Sequence, residues 1–194
     1  MPITFDLIVK NGKCFIDEQL KTIDIGISNG IIKSIGKIEK NSGTKVLDAN
    51  NLTVLPGIID TQVHFREPGS TDVEDLKSGS KAAVLGGVTS VFEMPNTNPP
   101  TSNQSEFNKK LGLAKNRMFS NYAFYFGATP HNTEDLKGLN DLEGCCGVKL
   151  FAGSSTGNLL VKDEKDIEKV ISNSSKIVSI HSEDEDILNL RKKF

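Results

Sequence analysis

The feature that most constrains the fold is an alternation of strand-length apolar runs with helical patterns, which begins after Pro56-Gly57. Each run has the length of a buried strand, and each is followed by apolar residues at helical spacing. Five such pairs predict parallel βαβ units. The predicted strands cover residues 58–63, 88–94, 122–126, 148–151 and 176–181.

The helices between these strands carry recognisable start and stop signals. Thr71 and Glu74 have the spacing of a capping box and predict the start of the first helix, which Gly86-Gly87 ends. The later helices are predicted across residues 107–114, 134–139 and 163–171, and from residue 183 onward.

Two architectures accommodate five such units, and periodicity does not choose between them. A doubly wound sheet needs five or six strands, whereas a (βα)₈ barrel needs eight. No Gly-x-Gly-x-x-Gly follows a predicted strand, so a dinucleotide-binding fold has no support from the sequence.

Residues 1–54 have a different pattern, made of short strands. Asn11-Gly12 and Asn29-Gly30 each stand between apolar runs, and Asn-Gly favours the type I′ turn of a hairpin. These signals predict a small antiparallel β domain over residues 1–54, followed by an α/β domain over residues 55–194.

Composition excludes several classes of partner. The chain of 194 residues is 37% hydrophobic and 25% charged, as in globular proteins, and its formal net charge is −2. This balance predicts binding neither to nucleic acid nor to an anionic membrane. The N-terminus lacks the pattern of a signal peptide, and the three cysteines fit small buried thiols. We therefore expect a cytoplasmic protein.

Polar side chains at the predicted strand ends are candidates for chemistry, because functional groups gather at that edge of parallel sheets. Gln62 and His64 lie two residues apart, so their side chains share one face of a strand. His64 is a candidate metal ligand and Gln62 a weaker oxygen ligand. From spacing alone, however, two satisfied polar residues at a strand end explain the pattern better, because one histidine does not make a metal site.

Lys149 stands among apolar neighbours in a predicted strand, so burial should favour its neutral amine. A neutral amine reacts with carbon dioxide to form a carbamate, an anionic oxygen ligand. Without further context, a strand-end lysine whose charged end reaches water explains the pattern better. His181 ends the fifth strand. Arg66 offers a fork of donors suited to a carboxylate, and Asn96 can both donate and accept hydrogen bonds.

Four segments together resemble a known family. Residues 56–69 read PGIIDTQVHFREPG, which resembles the signature of the dihydroorotases in the amidohydrolase superfamily. Three shorter segments agree in order and spacing, namely residues 93–97 (EMPNT), 147–151 (GVKLF) and 180–184 (IHSED). The resemblance covers nearly the whole chain and indicates the N-terminal part of such an enzyme.

The resemblance implies a partial (βα)₈ TIM barrel of about five βα units, preceded by part of a small β-sandwich. It implies one or two zinc ions held by His64, Lys149 as a carbamate, and His181, and a substrate carboxylate held by Arg66 and Asn96. The implied reaction is the reversible hydrolysis of dihydroorotate to N-carbamoyl-aspartate in pyrimidine biosynthesis, in which metal activates water and polarises the ring carbonyl.

Two departures qualify the resemblance. Gln62 replaces the first histidine of the family's His-x-His, which predicts a weakened metal position; Gln62 and Asp60 remain candidate ligands. The family also places a histidine ligand and an aspartate base on later barrel strands, so these 194 residues are expected to be inactive alone.

Two other functions fit the same residues. One is a sibling cyclic amidohydrolase, an allantoinase or hydantoinase, although Arg66 and Asn96 favour a substrate with a carboxylate. The other is a non-catalytic dihydroorotase-like subunit that scaffolds aspartate carbamoyltransferase, which Gln62 favours. The expected protein partner is a second copy in a homodimer, or aspartate carbamoyltransferase.

Overall fold

The computed structural model describes residues 4–39, 44–154 and 158–192. The chain forms two compact units, with the division between Pro56 and Gly57. This division lies close to the sequence boundary at residues 54 and 55, while the independence of two domains over 1–54 and 55–194 remains a proposal.

The first unit is a five-stranded sheet in which β1 is central. Its strands are β1 (Leu7–Ile16), β2 (Gln19–Ser28), β3 (Ile31–Gly36), β4 (Lys45–Asp48) and β5 (Thr53–Val54). The order is β3-β2-β1-β4, and β5 also pairs with β1. Strand β2 runs antiparallel to both β1 and β3, but β4 and β5 run parallel to β1. The expected antiparallel domain is thus a mixed sheet built on an antiparallel meander.

Only one of the two Asn-Gly pairs makes the hairpin predicted for it. Asn29-Gly30, with φ of 52° and 73°, joins β2 to β3 as expected. Asn11-Gly12 lies inside β1, where the register with β2 shifts, and the chain reverses instead at Asp17-Glu18. The backbone N–H of Asn11 donates to Asp24 Oδ1 (3.0 Å), and a Cβ at Gly12 would meet Val54 Cγ2 at 2.6 Å. Tertiary contacts therefore turn this pair into a bulge.

The second unit consists of parallel strands that alternate with helices. The strands are β6 (Ile58–Val63), β7 (Val88–Glu93), β8 (Asn121–Gly127), β9 (Cys145–Phe151) and β10 (Val178–His181). The helices are α1 (Leu76–Leu85), α2 (Gln104–Ala114), a 3₁₀ helix (Asp135–Asp141), α3 (Glu164–Asn173) and α4 (Glu185–Arg191). Among the described residues, no helix has the length and apolar character needed to cross a membrane.

The strand order decides between the two architectures left open by the sequence. The five strands follow one another as β10-β9-β8-β7-β6, all parallel. A doubly wound sheet reverses its order at a switch point, whereas sequential right-handed crossovers place every helix on one face and curl the sheet. The unit is therefore five strands of a (βα)₈ barrel, as the resemblance implied.

The core lies between the sheet and its helices, where aromatic side chains make the largest contacts. Phe107 of α2 lies 6.3 Å, centroid to centroid, from both Phe124 and Phe126 of β8. All three rings are almost completely buried. Burial of a large side chain contributes about 1.5–3 kcal/mol, so α2 is held firmly against β8.

The predicted start of the first helix is wrong. The helix α1 begins at Leu76 with Asp75 as its N-cap, whose Oδ1 accepts the backbone N–H of Ser78 (2.5 Å). Thr71 lies in a turn and Glu74 in the irregular segment before the helix, and the carbonyl of Glu74 accepts the backbone N–H of Arg66 (3.2 Å). The segment before α1 is therefore tied to the loop after β6 rather than to the helix.

Candidate functional site

The sheet brings the predicted site residues to one edge. His64 directly follows β6, Asn96 follows β7 by three residues, and His181 ends β10. Lys149 lies two residues before the end of β9, paired in register with Gly127 of β8 and Ser179 of β10. Because the strands are parallel, all four residues lie at the carboxyl ends, where active sites form in barrels.

His64 is joined directly to Asn96. The two side chains form a hydrogen bond between Nδ1 of His64 and Oδ1 of Asn96 (3.0 Å). Burial lowers the pKa of His64; the Asn96 hydrogen bond opposes this, but the charges of Arg66 and Lys149 lower it further. Because Oδ1 only accepts, Nδ1 carries the proton, and Nε2 of the neutral ring keeps the lone pair that a metal needs.

Lys149 is buried without a charged partner. It is 2% exposed, and burial lowers the pKa of its ammonium group. Within the described residues, no hydrogen bond or ion pair reaches its Nζ, which lies 5.2 Å from the centroid of the Phe151 ring. The sequence alone favoured a lysine whose charged end reaches water, and that interpretation is wrong. Such an amine is prone to lose its proton, which is the state that reacts with carbon dioxide.

His181 shares a neighbour with Lys149. Its ring lies 5.9 Å from the ring of Phe151, the residue that also contacts Lys149. Nε2 of His181 makes a short hydrogen bond to Oε2 of Glu183. The carboxylate accepts this bond, so Nδ1 of a neutral His181 ring carries the lone pair, and a carboxylate orients the ring as in many metal sites.

A cavity of about 430 Å³ has Asn96, the hydrogen-bond partner of His64, in its wall. Arg66 and Asn96, the two predicted substrate-binding residues, both contribute to its wall. Its size lies within the range of small-molecule pockets. The remaining lining residues come from three loops of the second unit, and these are Pro68, Ser70, Thr97, Asn98, Pro100 and Asn158.

The two weaker metal candidates, Gln62 and Asp60, lie on β6, the outermost described strand on one side of the sheet. Gln62 and Asp60 are both exposed on β6. Oδ1 of Asp60 accepts the backbone N–H of Gln62 (3.0 Å), a contact within the strand itself. In the part of the chain that the structure describes, no hydrogen bond or ion pair joins either side chain to His64, Lys149 or His181.

A buried ion pair next to the site was not found from the sequence. Glu93 ends β7 at 1% exposure and pairs with the fully buried Lys110 of α2, which also donates to the carbonyl of Met94 (3.0 Å). Burial raises the pKa of Glu93 to about 8, against the opposing charge of Lys110. The sequence signal that could have indicated the burial of Lys110 is its position on the same helical stripe as Phe107 and Ala114.

The donor set fits a metal only if Lys149 changes its charge. Among residues 4–39, 44–154 and 158–192, no three His, Cys, Asp or Glu side chains converge as metal ligands. The positive charges of Arg66 and Lys149 lie close enough to His64 to lower its pKa. A carbamate on Lys149 would replace one positive charge with a negative oxygen ligand, which is the hard donor that His64 and His181 lack.

Comparison with known proteins places this site in a family context. The model of the amidohydrolase family matches residues 53–183. The dihydroorotase of Methanosarcina mazei is 37% identical over 184 residues, which cover 93% of this chain and 40% of that protein. The allantoinase of Escherichia coli is 31% identical over 166 residues, or 85% of this chain and 36% of that protein.

Solved structures agree with the fold. The L-hydantoinase (dihydropyrimidinase) from Arthrobacter aurescens matches 98% of this chain with a TM-score of 0.89 and 25% sequence identity. The match covers 43% of that hydantoinase. The chain thus spans about two fifths of the length of the dihydroorotase and of the hydantoinase.

Proposed function

Because the chain belongs to the amidohydrolase family, we propose that it forms the substrate-binding and metal-binding half of a cyclic amidohydrolase that acts on dihydroorotate. The observation that carries this proposal is the shared cavity of Arg66 and Asn96, with Asn96 bonded to His64. Asn96, proposed to bind the substrate carboxylate, thereby lies next to a candidate metal ligand.

The proposed reaction adds water across the ring amide of dihydroorotate. The C–N bond breaks, the carbonyl carbon becomes the side-chain carboxylate of N-carbamoyl-aspartate, and the nitrogen takes up a proton. The guanidinium of Arg66 would accept the ring carboxylate in its planar fork, and the Asn96 amide would fix its orientation. Both groups lie on loops whose backbones are held by adjacent strands, so the ring carbonyl would be presented in one direction.

His64, carbamylated Lys149 and His181 would hold one or two zinc ions. Bound zinc would polarise the ring carbonyl and lower the pKa of water. The carbamate forms when the neutral amine of Lys149 attacks carbon dioxide and loses a proton. Burial of Lys149 supports this step because it favours the neutral amine. Glu183, bonded to His181, would keep that ring oriented toward the metal.

The substrate assignment is tested by turnover of the complete gene product. We expect hydrolysis of dihydroorotate, and synthesis from N-carbamoyl-aspartate, to exceed hydrolysis of allantoin and of a simple hydantoin. Arg66 in the cavity favours dihydroorotate because it is the substrate with a ring carboxylate. If allantoin or hydantoin is hydrolysed faster than dihydroorotate, and dihydroorotate does not inhibit that hydrolysis, the protein has the sibling activity instead.

The non-catalytic alternative is favoured by Gln62 on the edge strand, where the family pattern has histidine. A dihydroorotase-like subunit that binds aspartate carbamoyltransferase would show neither metal nor turnover, and it would co-purify with that enzyme. The three cysteines are free thiols, in agreement with a reducing, cytoplasmic compartment. Sedimentation of the purified gene product would distinguish a homodimer from a mixed complex.

Replacement of Arg66 with alanine should mainly weaken substrate binding. We expect KM for dihydroorotate to rise about 10- to 100-fold, the scale of losing a charged hydrogen bond, with a small change in kcat. Steady-state kinetics of the complete gene product measure both constants. Lys109→Ala, which removes an exposed cation from α2, is the control. An unchanged KM for Arg66→Ala would exclude the assigned role.

Replacement of Gln62 with histidine should increase zinc content. A neutral amide oxygen is a poorer zinc ligand than imidazole, so the native protein should hold fewer than two tightly bound zinc ions. Elemental analysis of the complete gene product measures the ratio. Thr61→His places the new ring on the opposite face of β6 and should add no zinc. Two zinc ions per native chain would contradict the prediction.

A further inference from the structure

Glu67 is a carboxylate that the proposed reaction does not use. It directly follows Arg66 in the chain, yet it is only 7% exposed. Its two oxygens accept both arms of the Arg117 guanidinium, from Nη1 to Oε1 (2.7 Å) and from Nη2 to Oε2 (3.1 Å). The second oxygen also accepts the backbone N–H of Leu76 (3.0 Å). A buried carboxylate with three donors is fixed in one orientation.

The Glu67–Arg117 pair ties three elements together. Glu67 lies in the loop after β6, Leu76 begins α1, and Arg117 lies just after α2. Arg117 also donates to the carbonyl of Leu113 in α2 (3.1 Å) and lies 3.6 Å from Asp75, the N-cap of α1. The Glu67 hydrogen bonds raise the pKa of Arg117, so its guanidinium stays charged. The loop is thereby fastened to the start of one helix and to the end of the next.

This attachment holds Arg66 and the two residues that follow it. The backbone N–H of Arg66 donates to the carbonyl of Glu74 (3.2 Å), and the carbonyl of Pro68 accepts the N–H of Asn98 (2.9 Å). Glu67, between them, is held by Arg117. The backbone that carries Arg66 is therefore anchored at three successive residues, while its side chain contributes to the cavity wall.

A role in stability alone does not account for this chemistry. An apolar pair of similar volume often stabilises a fold as well as a buried ion pair does, or better. A bidentate arginine–carboxylate pair additionally imposes a direction, because the guanidinium and the carboxylate must be coplanar. The pair thereby fixes the orientation of Glu67, the residue next to Arg66.

We propose that Arg117 is a positioning residue for substrate recognition: through Glu67 it orients Arg66 toward the substrate carboxylate. The inference rests on the proposed function, since it presumes that Arg66 binds that carboxylate. Arg117 itself touches neither the cavity wall nor the candidate metal ligands among the described contacts. Its effect must therefore pass through the loop and appear in KM rather than in metal content.

The first test is Arg117→Ala in the complete gene product. We expect KM for dihydroorotate to rise about 5- to 10-fold, because a small misplacement of a binding group weakens its contact, with kcat within about twofold. Arg117→Lys keeps the charge but not the fork, so it should recover part of the loss. Lys109→Ala removes an exposed cation on α2 and should leave KM unchanged. If Arg117→Ala does not fold, Arg117→Lys and Glu67→Gln, which keep most of the packing, take its place.

The decisive test is a double-mutant cycle with Arg66→Ala. If Arg117 acts through Arg66, Arg117→Ala should change KM by less than about twofold when Arg66 is already absent. Equal effects of Arg117→Ala in both backgrounds, or a lower Tm with unchanged KM, would overturn the inference. An unchanged KM for Arg66→Ala alone would instead contradict the proposed function, so the two failures are distinguishable.

Discussion

Replacement of Lys149 with alanine is expected to abolish zinc binding by the complete gene product. The site is rich in cations, since the charges of Arg66 and Lys149 both lower the pKa of His64. A divalent ion is repelled from such a site until one positive charge becomes negative, and the proposed carbamate on Lys149 would make this change. Without the carbamate, the remaining donors are the imidazoles of His64 and His181 and the weakly binding amide oxygen of Gln62. These are too few for a tetrahedral zinc site.

The expected loss is measured by elemental analysis and by turnover after incubation with zinc and bicarbonate. Short carboxylic acids such as acetate or propionate should restore part of both in Lys149→Ala, because they place a carboxylate where the carbamate stood. Lys169→Ala, which removes an exposed lysine from α3, should bind zinc normally. Carbon-13-labelled bicarbonate should give a carbamate resonance that Lys149→Ala lacks. Native zinc content in that variant would refute the assignment.

A polypeptide of these 194 residues alone is expected to show neither turnover nor a cooperative monomeric unfolding transition. Among the described strands, β6 pairs only with β7 and β10 only with β9, so each leaves one edge without a partner. Apolar side chains on β6 are exposed, with Ile58 at 58% and Ile59 at 56%. Open edges with apolar side chains favour association with other chains over a stable monomer.

Turnover should fail for a separate chemical reason. The resemblance places a histidine ligand and an aspartate base on barrel strands after the fifth, and loss of a general base alone slows catalysis by about 10²- to 10⁴-fold. Sedimentation, urea unfolding and a dihydroorotate assay with zinc and bicarbonate test the polypeptide. A cooperative monomeric transition together with turnover near that of a dihydroorotase would show that the fold or the catalytic set is misjudged.

The local elements of this protein were determined by short stretches of sequence. The bounds of β6 were predicted without error, and Asn29-Gly30 makes the hairpin predicted for it. Both features depend on a few adjacent residues, either an apolar run between turn residues or a pair that tolerates positive φ.

Predictions from equally clear local signals were wrong where a distant contact competed. Asn11-Gly12 has the composition of a hairpin turn, but Asp24 and Val54 hold it in a bulge. Thr71 and Glu74 have the spacing of a capping box, but the carbonyl of Glu74 binds the loop that carries Arg66. In both places a hydrogen bond between remote residues outweighed a local preference worth about 1 kcal/mol.

Only the tertiary structure decided how these elements make a site. Helical and strand periodicities are the same in a doubly wound sheet and in a barrel. Only the observed sequential order of the five strands distinguishes the two architectures. Asn96 is 32 residues from His64, and Arg117 is 50 residues from Glu67, yet each pair is in direct contact. Such contacts depend on how strands and helices pack, because hydrogen bonds between remote residues form only when the chain between them has folded.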